Sequence, residues 1–361
     1  MSKAWKKEDA PFKQHSTSLE IKAELMQGYI TPGEHFFVCN QVETPTIDLS
    51  AYRLQIGGDG IEQPLELSYD ALLKLPSRTL IAYLECAGSQ RNLFTEVMGE
   101  EMESGGEFDL TPWMLGGVGN AVWTGVSLRT ILEMAGLKAD AVDVNPKGLD
   151  SDAPEGGVSR PIPIEKALDP DTILAYFMNG QPLPADHGFP VRLLVPGWIG
   201  SNSVKWVGSI TVSTKKVWVS RNTEHYVYIG PEWPAEAYAP AHGAPISTQN
   251  IKSSLALPWN ASLSAGHQVM RGIARSPHAP IERVEWSADG GQTWHNAPIV
   301  SPNLKYAWVR FEFEWYAPIG QHTLMTRAYD TAGHTQPMTM PFNEEGYMFN
   351  IVYPHPVTVG E

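Results

Sequence analysis

The apolar positions of this chain come mostly in strand-length pieces. The clearest is Val309, Phe311, Phe313 and Trp315, which alternate with Arg310, Glu312 and Glu314 and predict a half-buried strand. Tyr52–Ile56 alternates in the same way and ends at Gly57-Gly58-Asp59-Gly60. The continuous apolar runs Thr79–Leu84, Thr172–Met178, Val191–Val195 and Val204–Val212 predict buried strands, with Val217–Ser220 extending the sheet. Asn179-Gly180 is a hairpin turn signal. Thr31–Gln41 reads as a turn leading into an aromatic strand, and Glu282–Ser287, Asp289-Gly290-Gly291 and Thr293-Trp294 as a hairpin. Helical spacing is confined to short stretches. They are Ser68–Pro76, capped by Ser68; Ser127–Ala135, stopped by Gly136; and Pro163–Leu168. Residues 1 to 20 read as a tail, and Glu96–Glu107 and 141 to 160 as loops.

A proline- and alanine-rich stretch near 231–245 marks a change of character. It divides the chain into a mixed domain, residues 20–238, and a strand-rich domain, 239–361. The second shows no helical period and suggests an antiparallel sandwich of immunoglobulin type.

The chain has 361 residues, 42% of them hydrophobic and 18% charged, enough for a sizeable core. A net charge of −14 argues against general nucleic-acid binding, which needs clustered Lys and Arg, and suits a basic redox partner or plain solubility. Two cysteines cannot staple a disulfide scaffold. No apolar run is long enough to span a membrane, and residues 1–11 lack the apolar core of a signal peptide, so a cytoplasmic or periplasmic setting is expected. No Cys-x-x-Cys-His haem site occurs.

Chemistry concentrates at Leu84-Glu85-Cys86-Ala87-Gly88-Ser89-Gln90-Arg91. A buried strand breaks there at a glycine, which places Cys86 at the mouth of a loop, and Arg91 favours a metal-binding thiolate. A lone cysteine is otherwise a small core residue. A second cluster lies between Asn179 and Trp206. His187, Arg192 and Lys205 can donate to an anion, while Gly197 and Gly200 let backbone approach it.

Both stretches resemble the sulfite oxidase family of molybdenum enzymes. Cys86-Ala87-Gly88-Ser89-Gln90-Arg91 is similar to its Cys-Ala-Gly-Asn-x-Arg segment. The block Ala175–Ile210 resembles the family throughout, and Arg271–Ala274, Val284–Trp294 and Arg327–Asp330 resemble its dimerisation domain. The resemblance implies an α+β architecture: a mixed α/β molybdopterin domain, then an all-β immunoglobulin-like sandwich. It implies molybdenum bound by molybdopterin and by the thiolate of Cys86. It sets Phe37, Cys39, Asn40, Gln41, Asp150, His187, Arg192, Ser203 and Lys205 against the pterin. Asp150 reads equally well as a loop residue bonded to its own backbone. The resemblance gives Arg91, Trp113 and Tyr226 pocket positions, with Tyr228 the other candidate tyrosine.

The implied reaction adds oxygen to a sulfur substrate and passes electrons to an external acceptor such as a cytochrome c. The implied assembly is a homodimer. Two positions depart from sulfite-oxidising relatives. Cys39 stands where an arginine precedes the asparagine, with Gln41 in place of histidine, and Glu345 stands where a second arginine is expected. An arginine binds a dianion bidentately, whereas a carboxylate repels it by about 4 kcal/mol at close range. The resemblance makes sulfite the first expected substrate, and Cys39 and Glu345 motivate a second, a sulfane sulfur or an S-oxide. Nitrate reduction is a weaker third, and a dimeric interaction module the non-enzymatic alternative.

Overall fold

The computed structural model describes residues 11–102 and 110–361, and the chain divides into two compact units. The first comprises Val38–Ile81 and Ala121–Ser247. A five-stranded sheet orders Leu65–Ser68, Arg53–Gly57, Val207–Ser213, Asp143–Gly148 and Ile162–Pro163. Val207–Ser213 runs parallel to Arg53–Gly57 and antiparallel to Asp143–Gly148, so the sheet is mixed. Ile173–Met178 pairs with Val118–Ser127, with Arg192–Leu194 and, through the Asn179-Gly180 turn, with Gln181–Pro182. Both turn residues have positive φ, 52° and 76°, as the expected turn requires. Leu54, Ile56, Leu72, Val126, Leu132, Leu174, Leu193, Val207 and Ile210 share one core.

The helices are short because each needs only one apolar stripe. Tyr69–Leu73 starts where the Ser68 hydroxyl accepts from Ala71 N at 3.2 Å. Leu128–Met134 buries Leu128, Ile131 and Leu132, and Gly136 follows at φ 71°.

The second unit comprises 11–37, Ala82–Asn120 and Thr248–Glu361. Its three-stranded sheet orders Lys252–Leu255, Gly266–Arg275 and Val309–Ala317. A five-stranded sheet orders Ala261–Ser264, His355–Gly360, Gly320–Asp330, Ile281–Ser287 and His295–Ala297. Val309, Phe311, Phe313, Trp315 and Ala317 are buried, as their alternation predicts. On the outer face Glu312 pairs with Arg271 across the ladder at 3.2 Å. No helix is found after residue 248 among the described residues, in keeping with a strand-rich second domain.

Several local expectations need correction. The tail expected over residues 1 to 20 ends in a hairpin, Phe12–His15 with Ser18–Ile21, which buries Phe12 and Ile21. Thr31–Gln41 forms no strand: Gly33–His35 is a 3-10 turn, and Phe36 and Phe37 are buried by packing rather than by pairing. The loop expected over 141 to 160 contains the strand Asp143–Gly148. Pro146 is tolerated in it because, on one side, the ladder has a gap between the Asp143 and Val144 pairs and the isolated bridge Lys147–Ser159. Val217–Ser220 does not extend the sheet: Val217 N donates to the Asp143 carboxylate at 2.8 Å, and a helix Ser220–Thr223 follows. The start of Glu96–Glu107 is helical, Leu93–Met98, and 103–109 lies outside the described residues. No helix among the described residues is long and apolar enough to cross a membrane.

Candidate functional site

In the second unit, the strand Ser77–Glu85 delivers Cys86 to a hydrogen-bonded turn. Cys86 N donates to Gly117 O at 3.0 Å, Ser89 N to Cys86 O at 2.9 Å and Arg91 N to Gly88 O at 2.9 Å. Cys86 is 8% exposed, and neither it nor Cys39 is in a disulfide. Gly88 is needed because a Cβ there would stand 2.7 Å from Cζ of Arg91, whose side chain folds back over the turn. The Arg91 guanidinium donates to the backbone carbonyls of Glu345 (2.7 Å) and Thr111 (2.9 Å) and lies 5.1 Å from the Tyr347 ring. Arg91 thus meets Glu345 through the peptide, not through the carboxylate. Trp113 is buried, edge-on to Phe37 at 6.0 Å.

In the first unit, His187 closes the turn Ala185–His187, Gly188 follows at φ 106°, and Arg192 opens the strand Arg192–Leu194. Arg192 is buried and faces the Trp123 ring at 5.2 Å. Its Nη1 donates to the His187 carbonyl at 3.2 Å and its Nη2 to the Ser203 carbonyl at 2.8 Å, while Nε has no partner among the described residues. Among the described residues no carboxylate pairs with it, and burial pulls its pKa down to about 9. Lys205 donates to Asn40 Oδ1 and, at 3.0 Å, to the Asp186 carbonyl. Burial first, and then the charge of Arg192, bring its pKa down to about 7. Asn40 Nδ2 donates to Thr44 Oγ1 at 3.0 Å, and Thr44 Oγ1 to the Asp186 carboxylate at 2.5 Å. The Ser203 hydroxyl accepts from Val195 N at 3.0 Å.

Asp150 is buried, accepts from Val158 N at 3.0 Å, and is pushed up in pKa by desolvation. It bonds its own backbone as well as that of Val158, eight residues along the loop. A Cβ at Gly148 would strike both the Asp150 carboxylate and the Lys205 carbonyl, so these two residues pack around one glycine. Asn40, His187, Arg192, Ser203 and Lys205 therefore form one network, with Asp150 at its edge. Cys39 is exposed at its start.

This network fits a polyanionic ligand rich in hydrogen-bonding groups. Two cations are pulled down in pKa by burial, and Arg192 lacks a counter-ion among the described residues. Among the described residues, Arg192 Nε, Gln41 Oε1, Ser201 Oγ and Asn202 Oδ1 are buried polar atoms without partners, and others lie elsewhere, such as Tyr83 Oη and Trp308 Nε1. An orphaned buried donor costs about 1–3 kcal/mol, so a bound anion would gain by completing Arg192 Nε.

The two candidate tyrosines have different neighbours. Tyr226, at φ 53°, lies 4.8 Å from Cζ of the buried Arg160, whose Nη2 donates to the Ile246 carbonyl. Tyr228 stacks on Trp233 at 4.7 Å. Arg160 escaped the sequence reading because it sits in a Gly/Pro-rich stretch with no signal beyond its charge. Glu85, Lys252 and Arg275, a buried ion cluster beside Cys86, also escaped. The Glu85 side of that cluster could have been suspected from a charge ending an apolar strand.

Residues 41–220 match the oxidoreductase molybdopterin binding domain, and 244–360 the Mo-co oxidoreductase dimerisation domain. The chain is 33% identical to mitochondrial sulfite oxidase of Rattus norvegicus over 345 residues, covering 90% of this chain and 61% of that protein. It is 32% identical to sulfite oxidase of Gallus gallus, covering 90% and 72%. It is 33% identical to a nitrate reductase of Volvox carteri, covering 94% and 42%. The sulfane dehydrogenase SoxCD of Paracoccus pantotrophus superimposes with a TM-score of 0.81 at 26% identity, covering 94% of this chain and 84% of that one. The chain thus spans about three fifths of the length of its mammalian relatives.

Proposed function

We propose that this chain, which belongs to the sulfite oxidase family of molybdopterin oxidoreductases, oxidises sulfite to sulfate and passes the electrons to an external acceptor. The molybdopterin-binding domain implies a molybdenum–molybdopterin cofactor. That cofactor supplies two-electron oxygen-atom chemistry when bound. The net reaction balances as sulfite plus water giving sulfate, two protons and two electrons.

In this reading Cys86 supplies the thiolate ligand, held on a turn whose amides are tied down. A soft thiolate suits such a metal. Arg192 and Lys205 neutralise the anionic pterin tail, while Asn40, Gln41, Asp150, His187 and Ser203 bond its polar edges, with Cys39 at the start of the same segment. Phe37 and Trp113 form an apolar wall. Tyr226 orients the substrate, and Arg91 braces the loops on either side of the turn. A second copy of the chain docks through the dimerisation domain.

The single observation favouring an oxyanion substrate is Arg160, a buried cation stacked on Tyr226. In this reading its charge acts on the substrate that Tyr226 orients. A second reading, oxidation of a sulfane sulfur or reduction of an S-oxide, is favoured by Cys39 and Glu345 themselves and by the likeness to a sulfane dehydrogenase. Sulfite-dependent ferricyanide reduction, on protein shown to carry molybdenum, separates the two. Saturable turnover whose KM rises at least tenfold in Arg160→Gln is expected for sulfite. No turnover with metal present would sink sulfite and leave the second reading standing.

A further inference from the structure

The three-stranded sheet of the second unit places Lys252 directly opposite Arg275 on neighbouring antiparallel strands. Both side chains are fully buried. Like charges facing each other across a ladder repel, and buried ones repel more strongly. The arrangement is tolerable because Glu85 lies between them. Its Oε1 accepts from Lys252 Nζ at 2.9 Å and from Arg275 Nη2 at 2.5 Å, and its Oε2 from Arg275 Nε at 2.7 Å. Its backbone carbonyl accepts from Gln249 Nε2 at 2.8 Å. The three buried groups together carry one uncancelled positive charge.

The position of this cluster in the chain matters more than its strength. Glu85 immediately precedes Cys86, and Lys252 Nζ also lies 3.5 Å from the carbonyl of Ser89, three residues beyond it. One ammonium therefore touches both ends of the turn that carries the thiol. Gln90 Nε2 adds a bond to the Ser254 hydroxyl at 2.8 Å, two residues along the strand from Lys252. A buried ion cluster is a poor source of net stability compared with apolar packing, so its presence here calls for a role in specifying geometry.

We propose that Lys252 and Arg275 are positioning residues for Cys86: they grip Glu85 and Ser89, fix the backbone on both sides of the thiol, and hold one positive charge beside it. Neither touches the reacting atoms. The proposal rests on Cys86 being the molybdenum ligand.

The test uses the full chain and two readouts that need no substrate. The first is amide hydrogen exchange of residues 86–91 in cofactor-free protein. The second is the Mo(VI)/Mo(V) midpoint potential, followed by electron paramagnetic resonance in the loaded protein. Lys252→Met loses both grip and charge. It is expected to exchange the Ser89 and Arg91 amides at least tenfold faster, with Val309 and Phe311 unchanged. Its potential is expected to fall, because a nearby positive charge disfavours the more oxidised metal. Lys252→Arg is expected to restore both. Arg275→Lys keeps the charges but loses the two-pronged bond to Glu85, and its fold is checked by circular dichroism. It is expected to speed exchange while leaving the potential in place. Exchange within twofold of wild type in Lys252→Met and Arg275→Lys, or an unmoved potential in Lys252→Met, overturns the proposal. Molybdenum retained in Cys86→Ser would remove its premise, a failure visible apart from the exchange result.

Discussion

Two groups of cations among the described residues, one in each unit, differ in whether a carboxylate is bonded to them. Lys252 and Arg275 share a carboxylate, Glu85, that is also fully buried. Arg192 has none among the described residues, and Lys205 touches an amide oxygen and a backbone carbonyl. The effect on proton affinity is opposite for the two arginines, while burial lowers both lysines. Glu85 keeps Arg275 above its ordinary pKa and is itself held down to about 2, whereas burial drags Arg192 to about 9 and Lys205 to about 7. In the Glu85 cluster each cation has a carboxylate partner once the chain folds. In the other cluster the Asp186 and Asp150 carboxylates act on Lys205 but none is bonded to Arg192 among the described residues, which is why it is proposed as an anion site.

The contrast is sharpest at Glu85. Glu85→Ala strands two buried cations and is expected to cost about 3–5 kcal/mol, read as a lowered urea midpoint. Arg192→Met removes an uncompensated charge together with two bonds to carbonyls. It is expected to change the cofactor-free protein by less than about 2 kcal/mol, while at least tenfold less molybdenum is retained on purification. The next effect is pH-dependent. The folded pKa of Lys205, about 7, lies below its unfolded value, so between them the unfolded chain binds the extra proton. This contribution to stability is therefore lost as pH falls through 7 and grows as pH rises toward the ordinary lysine value. Cofactor-free wild type is expected to show that rising slope in denaturation midpoints, and Lys205→Met to lack that contribution. A bound anion favours protonated Lys205, so anion affinity is expected to weaken above pH 7. The smallest effect belongs to an exposed pair outside both clusters. Glu312→Ala at the Arg271 pair is expected to cost below about 1 kcal/mol by the same measurement.

The sequence exposed one cluster and hid the other, for a physical reason. His187, Arg192 and Lys205 lie within a few turns of one another, punctuated by glycines that mark close backbone approach. Cys86 is likewise flagged by the glycine two residues on. Glu85 meets its partners across 167 and 190 residues, by packing against a strand pair of another sheet that no local pattern reveals. Strand alternation predicted Val309–Ala317 well, because one face is core and the other solvent. It missed Asp143–Gly148, where Pro146 and Lys147 imitate a loop and the neighbouring strand decides the outcome. It over-read Val217–Ser220, where the Asp143 carboxylate takes the place of a ladder partner.

The decisive measurement is the urea midpoint of cofactor-free Arg192→Met set beside that of Glu85→Ala. A near-native midpoint is expected for the first and a large drop for the second, because only the second leaves charge buried and unpaired. An equal drop in both would contradict this difference between the clusters, and would make Arg192 a structural cation rather than one held ready for the cofactor.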